Sequence, residues 1–236
     1  MLIKHIVRGG YIKPNVSICD DNGNVYYNYS SPFNGYDYVD LGLPSGTLWA
    51  TMNVGASTPT DNGLYFQWGD TVGYRADQVG TGSGKKKFSS DWSDYKFNPN
   101  GDGETFTKYT TTGATLELED DAAHANMGGD WHMPTPTQIS ELLNTAYTTN
   151  TWATQDGVNG RLFTSKSDPS KSIFFPADGC AWGGSIRNGG DYGGVWSSML
   201  STDNVNGGQN LNFYSGYTYL GYFDRSYGFS VRGVLG

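Results

Sequence analysis

Apolar positions in this chain switch between a helical and a strand spacing. Ile139, Leu142, Leu143 and Ala146 fall at i, i+3, i+4 and i+7, which places them on one face of a helix. Just ahead of them Thr135 suits an N-cap, Pro136 the first helical position, and Gln138 completes a capping-box pattern. A shorter helix is expected over 118–127. Ala122, Ala123 and Ala125 favour it, Glu119, Asp120 and Asp121 stand at its positive end, and Gly128-Gly129 stops it. Short strands are expected over 161–165, 172–175, 195–198, 209–214 and 228–234. In the fourth of these the period of two turns Leu211 and Phe213 inward and Asn210, Asn212 and Tyr214 outward. Earlier in the chain, 39–50 carries a turn and then a strand, and 63–69 reads as a short aromatic strand. The polar, glycine-rich stretch 73–113 reads as a long surface excursion.

The first 36 residues stand apart. Segments 12–18 and 25–29 alternate as strands around Asp20-Asp21-Asn22-Gly23-Asn24, a hairpin turn in which Asn-Gly accepts positive φ. So short a piece seldom holds its own core. It is expected to be an attachment or oligomerisation segment, with the main domain over 38–236.

Composition narrows the function. Apolar residues are 36% of the chain but aromatics are 15%, and there are 34 glycines. The core must therefore be built from rings, in a loop-rich frame. A net charge of −8 argues against tracking a phosphate backbone, and Lys85-Lys86-Lys87 reads as a solvated loop. No apolar run is long enough to span a bilayer, and the N-terminus lacks the apolar centre of a secretory signal. Cys19 and Cys180 read as unpaired thiols, and no Cys/His cluster suggests zinc.

Catalytic signatures are missing too. His5, His124 and His132 read as structural, and no serine sits in a G-x-S-x-G elbow. Asn98-Pro99-Asn100-Gly101-Asp102-Gly103-Glu104 has part of a calcium-loop pattern, but Tyr109 stands where the closing Glu belongs, so an ordinary turn is favoured. No metal, cofactor or enzymatic activity is expected.

Residues 181–236 contain no lysine and no glutamate, but six tyrosines, five asparagines and thirteen glycines. Rigid amphipathic rings beside small polar residues make up the vocabulary of a recognition surface. The candidate contact residues are Arg187, Asn188, Asp191, Tyr192, Asn210, Asn212, Tyr214, Tyr217, Tyr219, Tyr222, Asp224, Arg225 and Tyr227, with about a third of the tyrosines expected to pack inside.

Leu41-Gly42-Leu43-Pro44-Ser45-Gly46-Thr47-Leu48-Trp49-Ala50, Asn53-Val54-Gly55-Ala56 and Tyr65-Phe66-Gln67-Trp68-Gly69 together resemble the Fibrobacter succinogenes major paralogous domain of Bacteroidetes and their phages. So do Asp121-Ala122-Ala123, Trp131-His132-Met133-Pro134-Thr135, Ile173-Phe174-Phe175-Pro176-Ala177-Asp178-Gly179, Trp196-Ser197-Ser198 and Gly228-Phe229-Ser230-Val231-Arg232. The match runs in order over about 38–236. It departs from the family pattern at His132, Val195 and Gly233. The resemblance implies an α+β C-type lectin-like fold of the formylglycine-generating-enzyme branch, with two helices, small antiparallel sheets and long irregular loops. The paired active-site cysteines of that branch are not matched, because Cys180 stands alone in the region. The segment 185–227 also resembles the variable region of diversity-generating retroelement proteins. Adenine-directed change there yields Tyr, Ser, Asp, Gly, Arg or His codons but not Lys or Glu.

These resemblances imply a non-enzymatic binder of a host-surface protein or glycan, at a virion or cell surface. It would be anchored through residues 1–36 and repeated as a homo-oligomer, without nucleic-acid binding or membrane insertion. The alternative is a virion decoration or fibre component with no dedicated ligand.

Overall fold

The computed structural model describes residues 34–236 except Ser90, together with two short strands, β1 (Ser17–Cys19) and β2 (Val25–Tyr27). β1 and β2 pair antiparallel with Cys19 opposite Val25, so the expected hairpin forms. The remainder of the expected strand segments, 12–16 and 28–29, lies outside the described residues.

The rest is mainly antiparallel β structure in small sheets, with two short helices. β3 (Tyr38–Asp40) and β4 (Leu48–Ala50) form a sheet with the closing strand β13 (Val234–Leu235), which pairs on the other side of β4. β5 (Thr148–Gln155), β6 (Val158–Ser165) and β7 (Ser172–Pro176) make a meander. β8 (Cys180–Trp182) and β9 (Ser185–Arg187) form a small hairpin. β10 (Tyr192–Leu200), β11 (Gly207–Tyr214) and β12 (Thr218–Asp224) form the last sheet, with β11 in the middle.

The helices follow their local signals. α2 (Pro136–Leu143) starts on the Thr135 capping box, with the Thr135 hydroxyl accepting from the Gln138 N–H at 3.2 Å. It stops at Leu143 rather than Ala146, because the Asn144 N–H closes a tighter turn onto the Glu141 carbonyl. α1 (Ala122–Met127) is shorter than 118–127. Leu118–Asp120 forms a separate 3-10 turn, and Asp121 is the N-cap, accepting from the His124 N–H at 2.9 Å. Gly128 ends α1 at φ 70°, a conformation that costs a side-chain-bearing residue.

Strand expectations need two corrections. Segment 228–234 is no continuous strand. Gly228, Phe229 and Ser230 make single bridges to Ala181, Phe66 and Val195, and pairing resumes only at Val234. Likewise Tyr65 and Phe66 bridge singly to Tyr74 and Phe229.

The β10–β11–β12 sheet lies between two cores. One of its faces carries Val195, Leu211 and Phe213 onto Ile139 and Leu142 of α2 and onto Phe163, Ile173 and Phe175. The other carries Tyr192 and Trp196 into an aromatic core with Trp68, Trp131 and Phe229. Behind the sheets Arg232 is fully buried. Its guanidinium donates to Asn53 Oδ1, the Ala50 carbonyl and the Phe174 carbonyl at 2.9, 3.0 and 3.1 Å, and lies 4.5 Å from the Phe175 ring centre. These bonds tie β4 and β7 to the C-terminal segment.

Residues 73–113 are irregular, as expected, but they are not a surface excursion. Phe88, Trp92, Tyr95, Phe97 and Tyr109 are all buried there. Trp92 meets Tyr95 and Phe106 edge-on at 5.5 and 5.4 Å. Phe88, Trp92 and Tyr109 hold positive φ of 52°, 62° and 57°. Each such backbone costs about 1–2 kcal/mol, whereas burying a large ring contributes about 2–3 kcal/mol. Ring burial decides the conformation. Lys86 in the basic run is also drawn in. It lies 3.3 Å from Asp94 and over the Tyr74 and Phe88 rings, while Lys85 and Lys87 stay exposed.

Candidate functional site

The β11–β12 hairpin positions the exposed rings. Its tip is only Ser215 and Gly216, and the Tyr214 N–H donates to the Tyr217 carbonyl at 3.0 Å. The register then runs unbroken from Phe213 opposite Thr218 to Gly207 opposite Asp224. Tyr217 is 57% exposed, Tyr222 49% and Tyr219 36%.

These tyrosines do not all share one face. Alternation puts Tyr217 and Tyr219 with Tyr192, Asn210, Asn212 and Tyr214, whereas Tyr222 falls on the side of Leu220 and Leu211. On the first side the rings form a run. Tyr192 packs on Tyr214 at 4.7 Å, Tyr214 on Tyr217 at 5.2 Å, and Tyr217 stacks on Tyr219 at 5.7 Å. Burial raises the pKa of the Tyr214 and Tyr219 hydroxyls, and Tyr217 beside them adds to it. These two rings therefore stay neutral well above physiological pH and offer their hydroxyls as donors and acceptors.

Four of the candidates lie inside the molecule. Tyr192, Asn210, Asn212 and Arg225 are between 0% and 1% exposed, so none is placed to touch a ligand. Asn210 and Asn212 do point opposite to Leu211 and Phe213, as alternation predicts, but that face is covered. The Tyr192 hydroxyl donates to Asn212 Oδ1, Asn210 Nδ2 donates to the same oxygen at 3.1 Å, and Asn212 Nδ2 donates to Asn210 Oδ1 at 2.8 Å. A side chain at Gly221 would meet the Tyr219 ring at 2.7 Å and Asn212 at 2.9 Å, so this position closes the layer over the amides. The two asparagines are a hydrogen-bonded floor under the tyrosines. Arg225 leaves the surface altogether. Its guanidinium sits 3.7 Å from the Phe106 ring centre, with Tyr95 and Trp68 around it, and donates to the Tyr109 carbonyl at 3.2 Å.

A second aromatic group lies on the β8–β9 side. The Arg187 guanidinium is 5.0 Å from the Trp182 ring centre, and Trp182 stacks on Tyr227 at 5.7 Å with planes 14° apart. Tyr227 continues through Phe223, at 5.7 Å, to Tyr192, at 6.2 Å. Trp182 and Phe223 thus belong to this region although neither was a candidate. Trp182, followed by Gly183-Gly184, carried a signal in the sequence that tyrosine counting passed over. Asn188 and Asp191 are exposed in the turn before β10, with Asn188 at φ 56° and its carbonyl accepting from the Asp191 and Tyr192 N–H groups. Asp224 is half-buried, and its pKa is raised by that burial.

The charged clusters elsewhere are internally matched. Glu117, Glu119 and Asp120 bring their carboxylates together, and the Lys108 ammonium sits among them at 2.7, 2.7 and 2.6 Å. Burial opposes the ionisation of Asp120, but hydrogen bonds from Lys108 and Lys96 win and lower its pKa. In the Asn98–Glu104 turn, Asp102 Oδ1 accepts from the N–H groups of Thr105 and Glu104 and from Asn98 Nδ2, at 2.8–2.9 Å. A narrow 150 Å³ cleft between Val39, Leu162 and Phe174 and a 440 Å³ open depression at Asp61, Arg75 and Asp77 both lie apart from the tyrosines.

No family model, curated protein or solved structure matches this chain.

Proposed function

We propose that this chain is a non-enzymatic recognition protein whose C-terminal face binds a host-surface protein or glycan. The observation that carries this reading is the exposure of Tyr217, Tyr219 and Tyr222 on one well-paired hairpin. They are half of the large hydrophobic side chains left exposed among the described residues. Tyrosine gives contact area at low entropic cost and is enriched at binding hot spots. Tyr214 adjoins Tyr217 in the ring run, and on this reading Arg187, Asn188, Asp191, Asp224 and Tyr227 complete the contact set.

The frame is read as a C-type lectin-like fold of the formylglycine-generating-enzyme branch. In its favour are two short helices, small antiparallel sheets and a closing strand that returns to β4 beside the N-terminal strands. On the same reading, 185–227 is a retroelement-type variable region. The buried positions within it (Trp196, Leu211, Phe213 and the Asn210–Asn212 floor) are the part the frame requires. Residues 1–36 would anchor copies of the chain to a virion or cell-surface assembly. An array of copies would raise weak single-site affinity by avidity.

Glycan-array and host-cell binding of the full chain tests the proposal, with Tyr217→Ala/Tyr219→Ala/Tyr222→Ala as the comparison. Binding that is lost in the folded triple variant supports it, and unchanged binding refutes it. A near-copy of the 185–227 coding segment beside a reverse-transcriptase gene, differing at adenines, is the expected genomic signature.

A further inference from the structure

We infer that the ligand of this face is an extended polypeptide segment that adds to the sheet as a fourth strand along the outer edge of β12. The inference rests on the recognition reading above and names its partner class.

The hairpin tip sets which backbone groups face outward. Tyr214 and Tyr217 are a hydrogen-bonded pair across the two-residue tip, and at the far end the Arg225 N–H donates to the Asn206 carbonyl at 2.9 Å. Hydrogen-bonded pairs alternate along an antiparallel ladder. Tyr219, Gly221 and Phe223 therefore turn their N–H and C=O groups toward β11, and Thr218, Leu220 and Tyr222 turn theirs away from it. Among the described residues no backbone or side-chain hydrogen bond reaches those outward groups. α2 packs beneath the sheet, under all three strands.

Protein edge strands usually carry a guard, such as a bulge, a proline or an inward charge. β12 has none of these. Its register is unbroken over seven pairs, it contains no proline or lysine, and its one charge is Asp224 at the end. Alternating donors and acceptors at the strand repeat are complemented by another polypeptide backbone, and a sugar's hydroxyls do not repeat that way. Exposed rings stand on both sides of the open edge, Tyr219 on one face and Tyr222 on the other, so an added strand would find an aromatic neighbour whichever way its side chains point. The chain's net charge of −8, with Asp224 closing the strand, favours a partner segment with a basic residue near that end.

The test is to pan a library of random linear peptides displayed on phage against the full chain, then to synthesise the enriched peptides. The expected result has three parts. The Thr218, Leu220 and Tyr222 amides gain hydrogen-exchange protection when peptide is bound. N-methylation of alternate peptide amides abolishes binding in one register and spares it in the other. Thr218→Pro, which removes one outward N–H, weakens binding about fivefold to tenfold, the worth of one hydrogen bond. Peptides that bind without protecting those amides, or that tolerate N-methylation in both registers, overturn the inference. Glycan binding that is lost in the triple tyrosine variant but kept in Thr218→Pro sinks edge pairing and leaves the recognition reading standing. Host binding that survives in both variants sinks both.

Discussion

Residues 73–113 and the β11–β12 hairpin are both rich in glycine, small polar residues and aromatic rings, yet they place those rings oppositely. The first region has almost no regular structure and hides Phe88, Trp92, Tyr95, Phe97 and Tyr109. The second is an unbroken two-stranded ladder and leaves Tyr217, Tyr219 and Tyr222 in solvent. An irregular segment has no ladder to fix it and leans on what its side chains bury, so its rings go inward, even at positive φ. A paired strand is fixed by its backbone, so its outer rings are free for another use. Arg225 joins the two, leaving the end of β12 to enter the ring cage of the first region.

The sharpest way to break this contrast is Trp92→Ala, which empties part of the loop's own core. It is expected to cost about 3–5 kcal/mol, read as a lowered denaturation midpoint. A loss below about 1 kcal/mol would mean that the loop is held by something other than its rings.

The next largest effect concerns Asp178, a buried carboxylate that accepts from Asn53 Nδ2. Burial pushes the Asp178 carboxyl up to about 7, and its Oδ1 has no hydrogen-bond partner. Between about pH 4 and 7 the folded chain keeps this proton while the unfolded chain releases it. Its contribution to stability is therefore greatest at the acid end and declines as pH rises through that window. Asp178→Asn should flatten this slope and raise stability above pH 7 by on the order of 2–4 kcal/mol. Chemical denaturation across pH reads it, and parallel curves for the two proteins would count against it.

Asn212→Ala comes third. It leaves the Tyr192 hydroxyl and the Asn210 amide without a buried partner, at about 1–3 kcal/mol. If thermal unfolding were unchanged, the amide floor would not be what supports the rings.

The smallest stability effect belongs to Tyr222→Ala, expected within about 0.5 kcal/mol of the parent while ligand binding falls measurably. A large loss of stability would move Tyr222 from the displayed class to the buried one.

What could be read from the sequence follows from how local each signal is. The Thr135–Gln138 capping box and the Asn-Gly turn signal ahead of β2 are written in neighbouring residues, and both elements were legible. The coarse α+β architecture followed from them and from the strand runs. Alternation correctly set Asn210 and Asn212 opposite to Leu211 and Phe213. It could not show that a second layer covers them, because Tyr192 and Tyr219 arrive from other strands. The odd spacing from Tyr217 to Tyr222 already implied opposite faces, once 218–224 is taken as a strand. The burial of Trp92 and Tyr95 and the seat of Arg225 had no local sign, since each depends on residues distant in sequence.

The Ser215-Gly216 tip has a practical consequence. Both residues are exposed, and a side chain on Gly216 would meet no atom within 4 Å. Lengthening a loop raises its closure entropy only slowly, and exposed tips are where inserted sequence is tolerated. Foreign loops grafted at this corner would extend the molecule outward while leaving both cores untouched, which makes it the natural splice point for epitope tags or reprogrammed binders.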